Sequence, residues 1–264
     1  MNRVTLALWL LPIGIFLAMI AAAAGGHRVA LLRRRSGDSP STSGSSIIDA
    51  AVLGLLSLLV AFWFSLAGAH LDLRRSLIVE EANAIGTAWL RLDLLPLATR
   101  STVQDLFRDY VDIRMAETPS ARSRERRASL DEQLDGVRGA IWKHSVDAGR
   151  QCASPQAAML LLDALNAMFD AGTRHEAATN AHTPTAVPVL LAGVAVVASL
   201  LTGHEMGRSQ TFSWFHPLLF AVVVSTTIGV IYDLEKPRYG LIRIDDYDKT
   251  MRDVRQGFDR GTGP

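Results

Sequence analysis

Cysteine is nearly missing from this chain: Cys152 is the sole one in 264 residues. No intrachain disulfide can form, so a disulfide-stapled scaffold and a multi-cysteine metal site are both excluded. Charge is scarce as well. Asp, Glu, Lys and Arg make up 20% of the residues, and 27 basic side chains against 26 acidic ones leave a net charge of +1. That balance gives no overall field to draw in nucleic acid. Familiar catalytic signatures are missing too: no P-loop, no G-x-G-x-x-G after a strand, no H-E-x-x-H and no G-x-S-x-G, so no enzyme class is indicated. The seven histidines are scattered. His175 and His182 share a helix face near Glu176, but a metal needs more ligands than these, and both are expected to be solvated.

What is present is long apolar sequence. Mean hydropathy is +0.19, and the charge is partitioned away from four runs, 4–25, 47–70, 186–203 and 214–232. A bilayer core of about 30 Å needs roughly 20 apolar residues in a helix. Four such runs predict four transmembrane helices. Trp214 and Tyr232 bracket the last of them, where interfacial aromatics sit. The first run could be read as a signal peptide. Its length and the following Arg28, Arg33, Arg34 and Arg35 favour a retained helix with a stop-transfer cluster.

Residues 36–46 (SGDSPSTSGSS) read as a flexible linker. Residues 71–182 hold 14 Lys/Arg and 16 Asp/Glu and show almost no β alternation, so they read as a soluble helical bundle. A helix is expected to run out of the second span until Pro96. A capping box at Ser101 and Gln104 is expected to open the next helix. Residues 118–127 are expected to form a charged loop, with Ser129 capping the helix after it. Ser154 and Pro155 are expected as the N-cap and first position of another helix. The division is thus 1–46, 47–70, 71–182, 183–234 and a polar tail 235–264.

Three residue groups are candidates for function. Leu58, Phe62 and Leu66 recur every four residues in the second span. They could line a dewetting constriction if several copies surround an axis, or simply contact lipid and neighbouring helices. Glu80, Glu81, Asn83 and Arg91 lie near the membrane mouth. They read either as a solvated face, with Glu81 near Arg74 and Glu80 near Arg75 or Ser76, or as a polar cluster pinning helices. Asp245, Asp246 and Asp248 could offer oxygen ligands to Ca²⁺, or form an acidic turn balanced by Arg243 and Lys249.

The order of these features resembles a known family. E-E-A-N-A-I-G-T-A-W-L-R over 80–91 is followed by Leu94, Leu95 and Pro96, then by Asp109, Tyr110, Val111 and Arg114. L-N-A-M-F-D-x-x-x-R follows over 165–174, then two apolar runs and D-L-E-K-P-x-x-G over 233–240. This is similar to the bacterial bestrophin-like membrane proteins, of uncharacterised function. Those are in turn similar to bestrophins, pentameric anion channels with an aromatic-apolar neck on the second membrane helix. The resemblance implies a homo-oligomer in which Phe62 matches the neck. It also matches Pro237, Gly240, Asp245 and Asp246 to a calcium clasp. Here Arg238 and Tyr239 stand where that clasp has phenylalanine, and Tyr247 interrupts the acidic run. The resemblance thus gives Ca²⁺ as the only cofactor to weigh, and membrane lipid and further copies of the chain as the partners.

Orientation follows from basic residues near the span ends. Nine Lys/Arg flank the side carrying residues 71–182 and five the other side, which favours a cytoplasmic domain, while Arg33 to Arg35 alone favour the reverse. The chain is therefore expected to be all-α, in the bacterial inner membrane, with a helical bundle between the second and third spans. Its function is expected to be that of an oligomeric anion channel. The alternative is a non-conducting sensor or scaffold whose bundle binds a partner.

Overall fold

A computed structural model describes residues 3–36, 42–116, 124–151, 154–181, 183–208, 213–235 and 246–260. Every regular element among them is helical. In chain order they are α1 (Arg3–Arg35), α2 (Thr42–Arg91), a 3-10 turn (Leu92–Leu94), α3 (Leu97–Ala116), α4 (Arg124–Gly149), α5 (Pro155–Asn180), α6 (Ala186–Arg208), α7 (Phe215–Leu234) and α8 (Asp246–Arg260). The chain forms two compact units. The first contains residues 1–71 and 182–243, the second 72–181 and 244–264.

The first unit carries the apolar helices. Four helices, Leu10–Arg35, Ile47–Leu94, Ala186–Arg208 and Phe215–Leu234, are long and apolar enough to cross a membrane. The second extends for 48 residues, roughly 72 Å at 1.5 Å per residue against a core of about 30 Å. Only its charge-poor first half, ending near His70, can lie in hydrocarbon. Small residues let α1 and α6 approach backbone to backbone. A Cβ on Gly203 would fall 2.0 Å from the Ala23 carbonyl oxygen, and one on Gly26 would fall 2.0 Å from that of Leu200. Gly203 and Gly207 form a G-x-x-x-G pair, and Gly207 meets His27 and Ala30. This is the small-residue packing that membrane helices use where lipid removes the hydrophobic driving force. Arg34 extends the seam, donating from Nη1 to the Gly207 carbonyl at 3.5 Å. Against α7, Pro12 packs over Gly229.

Four hydroxyls in these helices find acceptors within their own turns. Ser57 donates to Leu53 O at 2.9 Å, Thr202 to Ala198 O at 2.8 Å, Ser225 to Val222 O at 3.2 Å and Thr227 to Val223 O at 2.8 Å. Bonded back to the helix, a hydroxyl leaves no unmet polar group. Gly54 and Gly68 of α2 face open space instead.

The second unit has a conventional core. Ile78, Ile85 and Trp89 of α2, Val103, Phe107 and Tyr110 of α3, Ile141 of α4, and Leu161, Leu165 and Met168 of α5 are all buried in it. Met251, Val254 and Phe258 of α8 complete it. Phe258 stacks on Trp89 with ring centroids 3.9 Å apart. The Arg108 guanidinium lies 5.3 Å from the Trp89 ring, and Arg255 of α8 pairs with Asp112 of α3 at 3.2 Å.

Four expected boundaries are corrected. α2 ends at Arg91, and a 3-10 turn carries the chain to Pro96. α3 starts at Leu97, so Ser101 and Gln104 lie inside it and form no opening cap. The Pro96 carbonyl accepts from Thr99 and Arg100 instead: proline imposes the break, and the chain resumes helix at once. Ser129 is likewise interior to α4, where it accepts from Gln133 at 3.2 Å. Part of the expected linker, 42–46, is helical and opens α2. The cap at Ser154 is as expected, with its Oγ accepting from Ala157 N at 3.4 Å and Pro155 at the first position.

Candidate functional site

Each unit carries its own set of candidate residues. In the first, α2 turns Leu56, Trp63 and Ala67 inward, at 3%, 3% and 0% exposure. Leu58 is two residues past Leu56, and Phe62 and Leu66 are one residue before Trp63 and Ala67; at about 100° per residue the stripe of Leu58, Phe62 and Leu66 is turned well away from the packed face. It is 51%, 65% and 44% exposed. A four-residue apolar spacing, with a packed face behind it, is how a single chain leaves a surface to lipid or to further copies. At the end of the apolar half of α2, His70 Nδ1 lies 3.3 Å from Glu235 Oε1, and Thr183 donates to the same oxygen at 2.8 Å. Glu235 is buried. This polar tie joins the end of one apolar stretch, the segment before α6 and the end of α7. Its partners are 165 and 52 residues apart, too far for any local pattern to reveal.

The second unit separates the residues that the sequence grouped. Glu81 is fully buried at 0% exposure. Arg114 of α3 donates to its Oε1 at 2.8 Å from both Nε and Nη2. His175 of α5 places Nδ1 2.6 Å from Oε2. The bidentate guanidinium and the imidazole together satisfy both carboxylate oxygens, as a buried charge requires. Glu80 is on the surface and pairs with Arg174. Asn83 is exposed. Arg91 donates to the Leu160 carbonyl at 2.6 Å and lies 3.9 Å from Asp163. Only Glu81 therefore belongs to a built polar centre. Arg74 does not serve Glu81: it donates from Nε to Ala178 O at 3.1 Å and from Nη2 to Ala181 O at 2.8 Å, closing the C-terminus of α5. His175, expected in solvent, is 4% exposed. Its polar ring is held inside by the carboxylate.

Burial alone would raise the Glu81 carboxyl, but the His175 hydrogen bond and the Arg114 charge outweigh it and hold its pKa below 4.5. Since the folded carboxyl titrates lower than the unfolded one, its contribution to stability is intact above about pH 4.5 and is lost as pH falls below that. The urea midpoint of the purified protein is expected to drop over this acidic window, and a Glu81→Gln variant to show a flatter profile. Equal acid sensitivity in the two proteins would mean other carboxylates govern it. Tyr110, also fully buried, has its phenol pKa raised by burial, against the opposing pull of the Arg114 and Arg138 charges.

Among the described residues, no group of three or more His, Cys, Asp or Glu is placed to hold a metal. Asp245 lies outside the described residues, as do Pro237 and Gly240, and the side chains of Asp246 and Asp248 are likewise not described.

Together these features define an all-helical integral membrane protein with a second, polar-centred helical unit. The Bestrophin-like domain profile matches residues 13–247, and the chain belongs to the Bestrophin-like family. No curated protein matches it. Solved structures share the fold. A point variant of a bacterial bestrophin homologue from Klebsiella pneumoniae superposes with a TM-score of 0.70 at 12% identity, over 96% of this chain and 99% of that one. The structure of that homologue phased on zinc gives 0.65 at 13% identity, with the same coverage. A structure described only as a membrane protein, also a point variant, gives 0.67 at 14% identity, again over 96% and 99%.

Proposed function

We propose that this protein is a homo-oligomeric, anion-channel-like membrane protein whose α2 helices surround a common axis. The observation that carries the reading is the exposed Leu58, Phe62 and Leu66 stripe, turned away from the packed face of Leu56, Trp63 and Ala67. An apolar ring formed by several copies of Phe62 would gate by dewetting. Family membership supports a chain of this class, and a pentamer is the stoichiometry the resemblance implies. The basic residues near the span ends support a cytoplasmic second unit in a bacterial inner membrane.

Halide efflux from liposomes reconstituted with the purified protein tests this. Flux above empty liposomes is expected, with a rate or selectivity that Phe62→Ala changes several-fold. Flux indifferent to Phe62→Ala would remove that side chain from the constriction. A Ca²⁺ response lost in Asp245→Asn/Asp246→Asn would assign the acidic tail a ligand role. No flux from folded, oligomeric protein would favour the sensor or scaffold reading, for which the exposed Leu97 and Met159, at 80% and 70%, offer apolar surface.

A further inference from the structure

In the second unit, α2 and α8 leave a cleft of about 330 Å³ lined by Arg75, Ile78 and Val79 of α2 and by Lys249, Thr250 and Asp253 of α8. Its two cations are exposed, and among the described residues neither has an ion-pair or hydrogen-bond partner. Surface arginines elsewhere in the unit are paired: Arg100 lies 3.2 Å from Asp93, Arg108 2.8 Å from Asp105 and Arg255 3.2 Å from Asp112. Arg74, the neighbour of Arg75, is committed to carbonyls at the end of α5. Asp253 shares the cleft but pairs with neither cation, so the lining carries one positive charge in excess.

The place of Arg75 along α2 decides what meets this charge. The helix is unbroken from Thr42 to Arg91, and its charge-poor half ends near His70. Arg75 follows five residues later, a rise of about 7.5 Å. The polar headgroup layer of a bilayer is about 5–8 Å thick on each side, so Arg75 stands where lipid phosphates lie. A guanidinium grips a phosphate through two parallel hydrogen bonds, an ammonium adds a point charge, and the Thr250 hydroxyl adds a donor. Val79 is 54% exposed and offers apolar surface to a glycerol stem. Asp253 is an acceptor for a headgroup hydroxyl. A bare inorganic anion would leave these last two groups without a role.

We propose that the cleft binds the headgroup of an anionic glycerophospholipid of the phosphatidylglycerol class, with Arg75, Lys249 and Thr250 on the phosphodiester and Asp253 on the glycerol hydroxyls. This goes beyond the conduction reading and holds whether or not α2 lines an axis.

The test is thermal unfolding of the purified full chain in detergent micelles doped with phosphatidylglycerol or, at the same mole fraction, phosphatidylcholine. A ligand of the folded state raises Tm by mass action. The wild type is expected to show a saturable rise with phosphatidylglycerol and none with phosphatidylcholine. Arg75→Gln and Lys249→Gln are each expected to weaken the apparent affinity roughly fivefold, the effect of one basic residue at an anionic surface, and the double variant to abolish the saturable rise. Lys143→Gln, which removes an exposed charge from α4, is expected to behave as wild type. Equal responses to the two lipids overturn the proposal, as does a double variant that responds like wild type or a Lys143→Gln loss as large as that of Arg75→Gln. The same saturable rise with soluble glycerol phosphate overturns the lipid assignment. Native mass spectrometry gives a second readout that needs no unfolding: the double variant is expected to retain one phosphatidylglycerol fewer per chain than wild type, and equal retention overturns the site.

Discussion

Replacing Glu81 with leucine is expected to destabilise the second unit by about 3–5 kcal/mol, the usual consequence of stranding a buried charge. Arg114 is 4% exposed, and without the carboxylate its guanidinium loses the two 2.8 Å contacts to Glu81 Oε1. His175 loses the acceptor that holds its ring in. Against a typical stability of about 5–15 kcal/mol, this is enough to loosen α3 and α5 from α2. The double variant Glu81→Leu/Arg114→Leu removes both charges together and is expected to recover much of the loss, because buried ion pairs are often replaceable by apolar residues. Urea unfolding of the two single variants and the double in detergent closes the cycle. Hydrogen exchange at α3 and α5 amides localises the effect. A double variant as unstable as the sum of the two singles would show that the side chains act independently, contrary to the 2.8 Å geometry.

The second large effect is expected at the seam between α1 and α6. Gly203→Val would push a side chain into the Ala23 backbone, since its Cβ alone would meet the carbonyl oxygen at 2.0 Å and the carbonyl carbon at 2.6 Å. Backbone cannot swing aside as a long side chain can, so the helices must separate. The expected loss is at or above the upper end of the roughly 1–3 kcal/mol typical of overpacking. Gly26→Val should behave alike, being 2.0 Å from Leu200 O and 2.8 Å from His204 N. The controls are Gly54→Val and Gly68→Val, where an added Cβ meets nothing within 4 Å in the chain. Monodisperse yield in detergent and thermal unfolding rank the four. If the α2 variants keep their fold but fall apart into single chains, the open face of α2 is a subunit contact. If all four are equally stable, the α1 and α6 approach is not as tight as described.

The spans were legible in the sequence because hydropathy and length are local properties that the bilayer constrains strongly. Ser154 and Pro155 were legible for the same reason: a cap is decided within four residues. The start of α3 was misread because Ser101 and Gln104 satisfy a capping pattern that the chain does not need once Pro96 has set the break. The polar centre was out of reach. Glu81 and Arg114 are 33 residues apart, and Glu81 and His175 are 94 apart, so no periodicity links them. A buried histidine and a solvated one look alike in sequence. Its one trace is that Glu81 lies between Ile78 and Ile85 on the apolar stripe, where an acid demands a partner. Nothing in the sequence separates the seam glycines Gly26, Gly203 and Gly207 from Gly54 and Gly68 of α2; only the packing does.

The core of the second unit is not finished by the stretch 72–181. Met251, Val254 and Phe258 fill it from α8, after α6 and α7 in the chain. During synthesis the bundle must therefore wait, with Trp89 unstacked and the Phe107 neighbourhood open, while two apolar helices are made and inserted. Its completion is tied to theirs, so a ribosome stalled before residue 246 would leave an exposed aromatic surface for chaperones and proteases to find.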